Sequence, residues 1–281
     1  MMALYCISMK GSLRMWELSR RIITGGKRTM KNEKTYELVL TALFTAIIVI
    51  MAFTPLGYIP LVVINATVIH IPVILGALFL GPKKGAFLGF VFGLTSFINN
   101  TFKAATASAF VFSPVLAADI IGISGVFKSM YICFVPRILV GIVPYFIYLL
   151  IRNLLKREQK FWRILINALA ALILFISVRA FVNNLTGGEN ALIGVAAGLA
   201  CGLILFAALT FNTGKMGSAS IALAYAGLTG AFTNTLFVMS GIFVLYRDAY
   251  ANALGIAGDT VIDVIMGVVS FNGIVEAVVA A

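Results

Sequence analysis

Charge is scarce along this chain of 281 residues: 11% are Asp, Glu, Lys or Arg, and only 10 are acidic. With 61% hydrophobic residues and a mean hydropathy of +1.06, a soluble domain is excluded, because so few polar side chains cannot cover its surface. One histidine and three scattered cysteines (Cys6, Cys133, Cys201) exclude a His/Cys metal cluster and a disulfide framework. The sequence has no GxxxxGK[ST] phosphate loop, no HExxH and no paired acids on an apolar run, so nothing in it burns ATP or marks a hydrolytic centre. No catalytic residue, cofactor or metal is implied.

What the chain has in abundance is apolar runs of the ~20 residues that cross a hydrocarbon core. They predict an all-α polytopic helix bundle of about eight spans: 36–54, 61–80, 84–100, 129–152, 161–182, 190–211, 218–246 and 260–280. A β-barrel would show short alternating segments instead. The net charge of +11 would suit nucleic acid, but its distribution points to the lipid bilayer. Cations cluster before the first span (Lys10 to Lys34), at Lys83 and Lys84, at Arg152, Lys156, Arg157, Lys160 and Arg163, and at Lys215. The alternate connections are poorer in them, which places both termini in the cytoplasm by the positive-inside rule.

Residues 1–34 read as a basic cytoplasmic tail. Met30 opens a more conventional beginning than Met1, so 1–29 is an over-extended start or a disordered tail. No cleavable signal pattern is present there. The connection 101–128 falls outside the membrane. It is too apolar for a solvated linker and too interrupted for a span, and is read either as a cap over an external cavity or as a re-entrant or surface-lying segment.

Arg137 stands in the apolar run 131–150, where a cation costs at least ~2.5–3.5 kcal/mol on insertion scales. With the orientation above and ~1.5 Å of rise per residue, it sits roughly a dozen Å below the external surface. Asn65, Thr67 and His70 of the second span, Asn99, Asn100 and Thr101 of the third, and Thr233, Asn234 and Thr235 of the seventh are expected at a similar depth. Polar groups in hydrocarbon should face one another or a watery cavity, so the set predicts a small-molecule site in the outer half of the membrane. An arginine among Asn and Thr suits a carboxylate, onto whose two oxygens the guanidinium forks. Each residue also has a plainer reading: Asn and Thr as interhelical bonds, His70 as a satisfied donor, Arg137 paired with Asp119 or snorkelling to the interface.

Small residues mark two close approaches. Ala42-Leu-Phe-Thr-Ala46 has the small-xxx-small spacing that admits a neighbouring helix. Gly76, Gly81, Gly85, Gly89 and Gly93 form a track expected to pack the second and third spans together.

The stretch TPLGYIPLVVINATVIHIPVILGALFLGPKKGAFLGFVFGLTSFINNT (54–101) resembles the substrate-binding S components of energy-coupling factor (ECF) vitamin transporters. FVPRILVGIVPYFIY (134–148) and GLTGAFTNTLFVMSGIFVLY (227–246) are similar to later spans of that family. Ala42 and Ala46 match its first-helix AxxxA motif. The resemblance covers roughly 35–156 and 218–281, leaving 158–217 as an inserted pair of apolar helices in an otherwise six-helix pattern.

It implies a non-enzymatic subunit that captures a vitamin outside the cell. Such a subunit docks through Ala42 and Ala46 on a scaffold membrane protein served by two cytoplasmic ATPases, with no nucleic acid involved. Asn65, Thr67, His70, Asn99, Asn100, Arg137, Asn234 and Thr235 are then the expected substrate contacts, and pantothenate is the favoured substrate. The alternative is a self-sufficient secondary transporter. It would want inverted repeats and a coupled intramembrane acid, for which Glu276 is the one deep carboxylate.

Overall fold

The structure is a computed structural model that describes residues 30–54, 57–60, 65–103, 108–186, 191–258 and 260–280. The basic tail 1–29, Cys6 and Asp259 lie outside the described residues. Helix α1 (Met30–Phe53) leads into two three-residue strands, β1 (Tyr58–Pro60) and β2 (Asn65–Thr67), and the short α2 (His70–Leu80). Then come α3 (Pro82–Lys103), α4 (Ala109–Phe112), α5 (Pro114–Ile121) and the 35-residue α6 (Ile123–Arg157). The chain finishes with α7 (Gln159–Leu185), α8 (Ala191–Gly214), the 37-residue α9 (Ser218–Leu254) and α10 (Val261–Ala280). This is an all-α polytopic bundle with one small antiparallel hairpin.

Six of these helices are long and apolar enough to cross a membrane: α1, α3, α6, α7, α8 and α9. The second expected span departs from its prediction. Asn65–Thr67 within its first half form β2, which pairs with the preceding β1: Tyr58 with Thr67 and Pro60 with Asn65. Its second half is an 11-residue helix, which at ~1.5 Å per residue covers about half of a hydrocarbon core. The run LVVINATV is β-branched, and such side chains favour an extended backbone over a helix. Pro72 is tolerated because it falls in the first turn of α2. Gly81, at φ 88°, ends α2 in a conformation that costs glycine little and lets α3 begin at once.

The glycine track also packs differently from its expectation. Gly85, Gly89 and Gly93 lie one helical turn apart on α3 and face α6, not chiefly α2. A Cβ on Gly89 would stand 2.2 Å from the backbone oxygen of Arg137, and one on Gly93 would stand 3.0 Å from that of Cys133. Gly85 and Gly141 exclude each other's Cβ in the same way. The two backbones therefore touch along three turns, and Cys133 Sγ donates to Gly93 O at 3.2 Å across the seam. Gly85 also abuts Ala77 of α2, while Gly76 meets Leu88 of α3 and Phe44 of α1.

α1 is tied to the bundle by a narrow stripe, with Ile48 and Ala52 buried against Ile69, Val73, Leu88, Phe92 and Val140. Helices α7 and α8 pack on each other and on the ends of α6 and α9. Leu174, Val178, Leu205 and Leu209 meet Ile151, Leu155, Ile221 and Tyr225. A fully buried Asn167 fixes that junction: its amide donates to Thr213 at 3.0 Å and its oxygen accepts from Tyr225 at 2.7 Å.

Gly89→Val should destabilise the protein by about 1–3 kcal/mol, the usual cost of overpacking, because its branches would meet the Arg137 carbonyl. A melting curve in detergent checks this, and an unchanged midpoint would refute the contact.

Candidate functional site

Close approach of α3 to α6 is what puts Arg137 inside the bundle. Its backbone is pressed on Gly89, and helical side chains lean toward the N-terminus of their own helix. The guanidinium accordingly reaches back along α6, where Nη1 donates to Ile132 O at 2.6 Å. The ring centroid of Phe92 of α3 lies 5.5 Å from Cζ, and that of Phe112 of α4 lies 4.8 Å from it. Only 4% of the residue is exposed, so it does not snorkel to the surface. Asp119 is exposed on α5. A desolvated cation–π contact contributes ~2 kcal/mol, so two of them are of the same order as the cost of at least ~2.5–3.5 kcal/mol that an arginine bears at such a position. The charge is kept by its aromatic faces.

The segment carrying Phe112 is held by hydroxyl groups. Ser129 of α6 donates to Phe110 O at 3.0 Å and lies 2.7 Å from the hydroxyl of Tyr246, which itself donates to Gly125 O at 2.8 Å. The Phe110 ring meets the Tyr246 ring edge-on at 5.5 Å. Ser113 caps α5 by accepting from the backbone of Leu116, and its hydroxyl is 2.7 Å from that of Thr101 on α3. Thus α4 and α5 close over one end of the bundle, fastened to α3, α6 and α9.

The expected site residues form a column rather than a single level. Asn99 donates to Ala52 O at 3.0 Å, joining α3 to α1, and its Oδ1 is buried without a hydrogen-bond partner among the described residues. Asn100 donates to Ser96 of its own helix. By the α3–α6 register both lie ~10 Å nearer the α4–α5 end than the guanidinium. On α9, Gly241 faces Ile132, so Asn234 and Thr235 lie ~10 Å deeper than the guanidinium. Both are buried, and Asn234 Oδ1 is a second amide oxygen without a partner among the described residues. Thr233 bonds back to Thr229 O.

His70, half-buried, opens α2. The α2–α3 contact of Ala77 with Gly85 sets it about level with Phe92. Asn65 and Thr67 are placed through their backbone, in β2. Phe92, Phe112, Ser129 and Tyr246 were not among the sequence candidates; the aromatic pattern FVFSP before a Ser-Pro helix start was the available signal.

On the bundle's flank, Ala42 and Ala46 are exposed on α1. They line an open groove of about 760 Å³ with Thr41, Thr45, Val49 and Phe87. Lys84 and Glu37 close one end of it with an ion pair at 2.5 Å.

These features describe a polytopic helical membrane protein with a buried arginine inside its bundle and an open groove along its first helix. The chain belongs to the family of ECF transporter substrate-specific components, whose model matches residues 36–185. That range runs through α7 and leaves α8 outside it. A "Pantothenic acid transporter PanT" of Lactococcus lactis subsp. cremoris is 42% identical over 133 residues, 44% of this chain and 63% of that protein. A "Pantothenate transporter PanT" of Leuconostoc mesenteroides subsp. mesenteroides is 34% identical over 119 residues, 41% of this chain and 51% of that protein. The chain thus spans between half and two thirds of the length of these curated relatives.

Tyr246→Phe removes the hydroxyl that serves both Ser129 and Gly125. It should cost ~1–3 kcal/mol through the polar groups left unpaired, read as a lower melting temperature; equal stability would show that the network is dispensable.

Proposed function

We propose that the chain is the substrate-capture subunit of an ECF-type importer and that its substrate is pantothenate. The buried guanidinium of Arg137 carries this reading. A cation built into a bundle beside two aromatic rings suits an anionic ligand, and a guanidinium that pairs bidentately selects a carboxylate. Pantothenate is an elongated acid with hydroxyl and amide groups distant from its carboxylate. With the terminal carboxylate on Arg137, the rest of the molecule runs to one side, where the amide oxygen of Asn99 or that of Asn234, each without a hydrogen-bond partner among the described residues, suits such a donor. The names of the two relatives agree with that substrate. In this reading Asn65, Thr67, His70, Asn100 and Thr235 complete the contacts.

The remaining parts follow from topology. Both termini lie in the cytoplasm and the α4–α5 end faces outward, as the cation distribution indicates. The Ala42–Ala46 groove receives a scaffold membrane subunit, and two cytoplasmic ATPases supply the work for which this chain has no phosphate loop. A secondary transporter remains the rival reading, with Glu276 of α10 as its acid.

The purified protein should bind D-pantothenate without ATP in isothermal titration. Truncating one side of a buried charge pair costs ~2–5 kcal/mol, so Arg137→Met should weaken binding at least ~30-fold. Unchanged affinity would refute the carboxylate contact, and uptake into liposomes driven by an ion gradient alone would favour the rival. Ala46→Phe should abolish uptake in cells while leaving pantothenate binding intact; lost binding would overturn the docking role of that groove.

A further inference from the structure

Two prolines stand inside α6, Pro136 and Pro144, and both are buried. A proline within a helix has no N–H for the carbonyl four residues earlier, and its ring crowds that carbonyl. Pro136 therefore deprives Ile132 O of its regular donor. Ile132 is fully buried, with its side chain against Gly241 of α9. An orphaned carbonyl is costly at such a place. Arg137 answers it: Nη1 donates to Ile132 O at 2.6 Å. Helical side chains lean toward the N-terminus of their own helix, so this acceptor lies where the Arg137 side chain is already directed.

We propose that Pro136 is a positioning residue for Arg137: by withholding an N–H it leaves Ile132 O as a main-chain acceptor that fixes the guanidinium along α6. Two groups that are each expensive inside a membrane then satisfy one another, and no acid is needed to hold the cation there. In an uninterrupted helix the N–H of residue 136 would engage Ile132 O along the axis, and the guanidinium would have to share it. The consequence for ligand binding rests on the reading of Arg137 as the carboxylate contact. A cation already fixed in place loses less freedom when a ligand arrives. Pro144 supplies the contrast. It removes the donor of Val140 O in the same way, but Tyr145 follows it, and its ring packs where a Cβ on Gly230 of α9 would stand.

The test has a ligand-free arm and a ligand arm, both on the full-length protein in detergent. In the first, melting temperatures are measured for wild type, Pro136→Ala, Arg137→Met and the double variant. With Arg137 gone, the restored N–H rescues an orphaned carbonyl; with Arg137 present, that carbonyl is already served. The shift caused by Pro136→Ala should therefore be more favourable by at least about 2 °C in the Arg137→Met background. Pro144→Ala should shift the midpoint equally in both backgrounds. Equal shifts from Pro136→Ala overturn the pairing, and so does a Pro144→Ala shift that depends on Arg137 to the same extent.

In the second arm, D-pantothenate affinity is measured for wild type, for Pro136→Ala and for a variant with the α-hydroxy acid lactate in place of Pro136. The resulting backbone ester lacks the N–H, as proline does, but has no ring. Pro136→Ala should weaken binding about tenfold, as expected for disturbing a hydrogen bond to a charged group, and the ester should restore it. Unchanged or tighter binding by Pro136→Ala overturns the positioning role, as does an ester variant as weak as Pro136→Ala. If the wild type does not bind pantothenate while the melting cycle is non-additive, the pantothenate reading fails and the pairing stands.

Discussion

A cation that must live inside hydrocarbon needs neighbours that hold it without neutralising it, and the fold around Arg137 is arranged to supply them. Rings do this where a carboxylate would not. Phe92 and Phe112 stabilise the charge through their ring faces, while Nη1 donates to Ile132 O along the same helix.

That arrangement depends on backbone contact between α3 and α6. A side chain on Gly89 would separate the helices and carry Phe92 away from Arg137. Membrane helices gain little from burying apolar surface against each other, since lipid is equally apolar, so close packing and hydrogen bonds must supply the specificity. The Gly85–Gly141 contact and the Cys133–Gly93 bond serve this at the frame. The hydroxyls of Ser129 and Tyr246 serve it at the covered end. The Asn167–Thr213–Tyr225 cluster plays the same part where α7 and α8 meet α9.

Much of this was legible in the sequence. The hydropathy runs located the long helices, although α6 (Ile123–Arg157) and α9 (Ser218–Leu254) run well past the expected 129–152 and 218–246, and the cost of a charge in lipid singled out Arg137. Glycines at Gly85, Gly89 and Gly93 announced a close approach, although their spacing could not say to which helix; rotation about an axis is invisible to composition. The run 61–80 misled because a continuous apolar stretch looks alike whether it is helix or strand, and only its β-branched first half hinted at the hairpin. The polar residues fell into a column rather than one level for two reasons. The Arg137 side chain leans a turn and more along α6, and loop lengths set helix offsets that hydropathy does not encode. Phe112 went unnoticed because the FVFSP pattern before the α5 start marks a turn in an apolar segment but not which partner its rings meet; its place beside Arg137 gives it meaning.

The central proposal is that this buried arginine contacts an anionic nutrient. Mass spectrometry of the small molecules retained after gentle purification from cells grown in rich medium addresses it most directly. The account predicts a retained vitamin bearing a carboxylate, with the mass of pantothenate, that disappears from the Arg137→Met protein. A neutral or cationic compound retained equally by both proteins would contradict it.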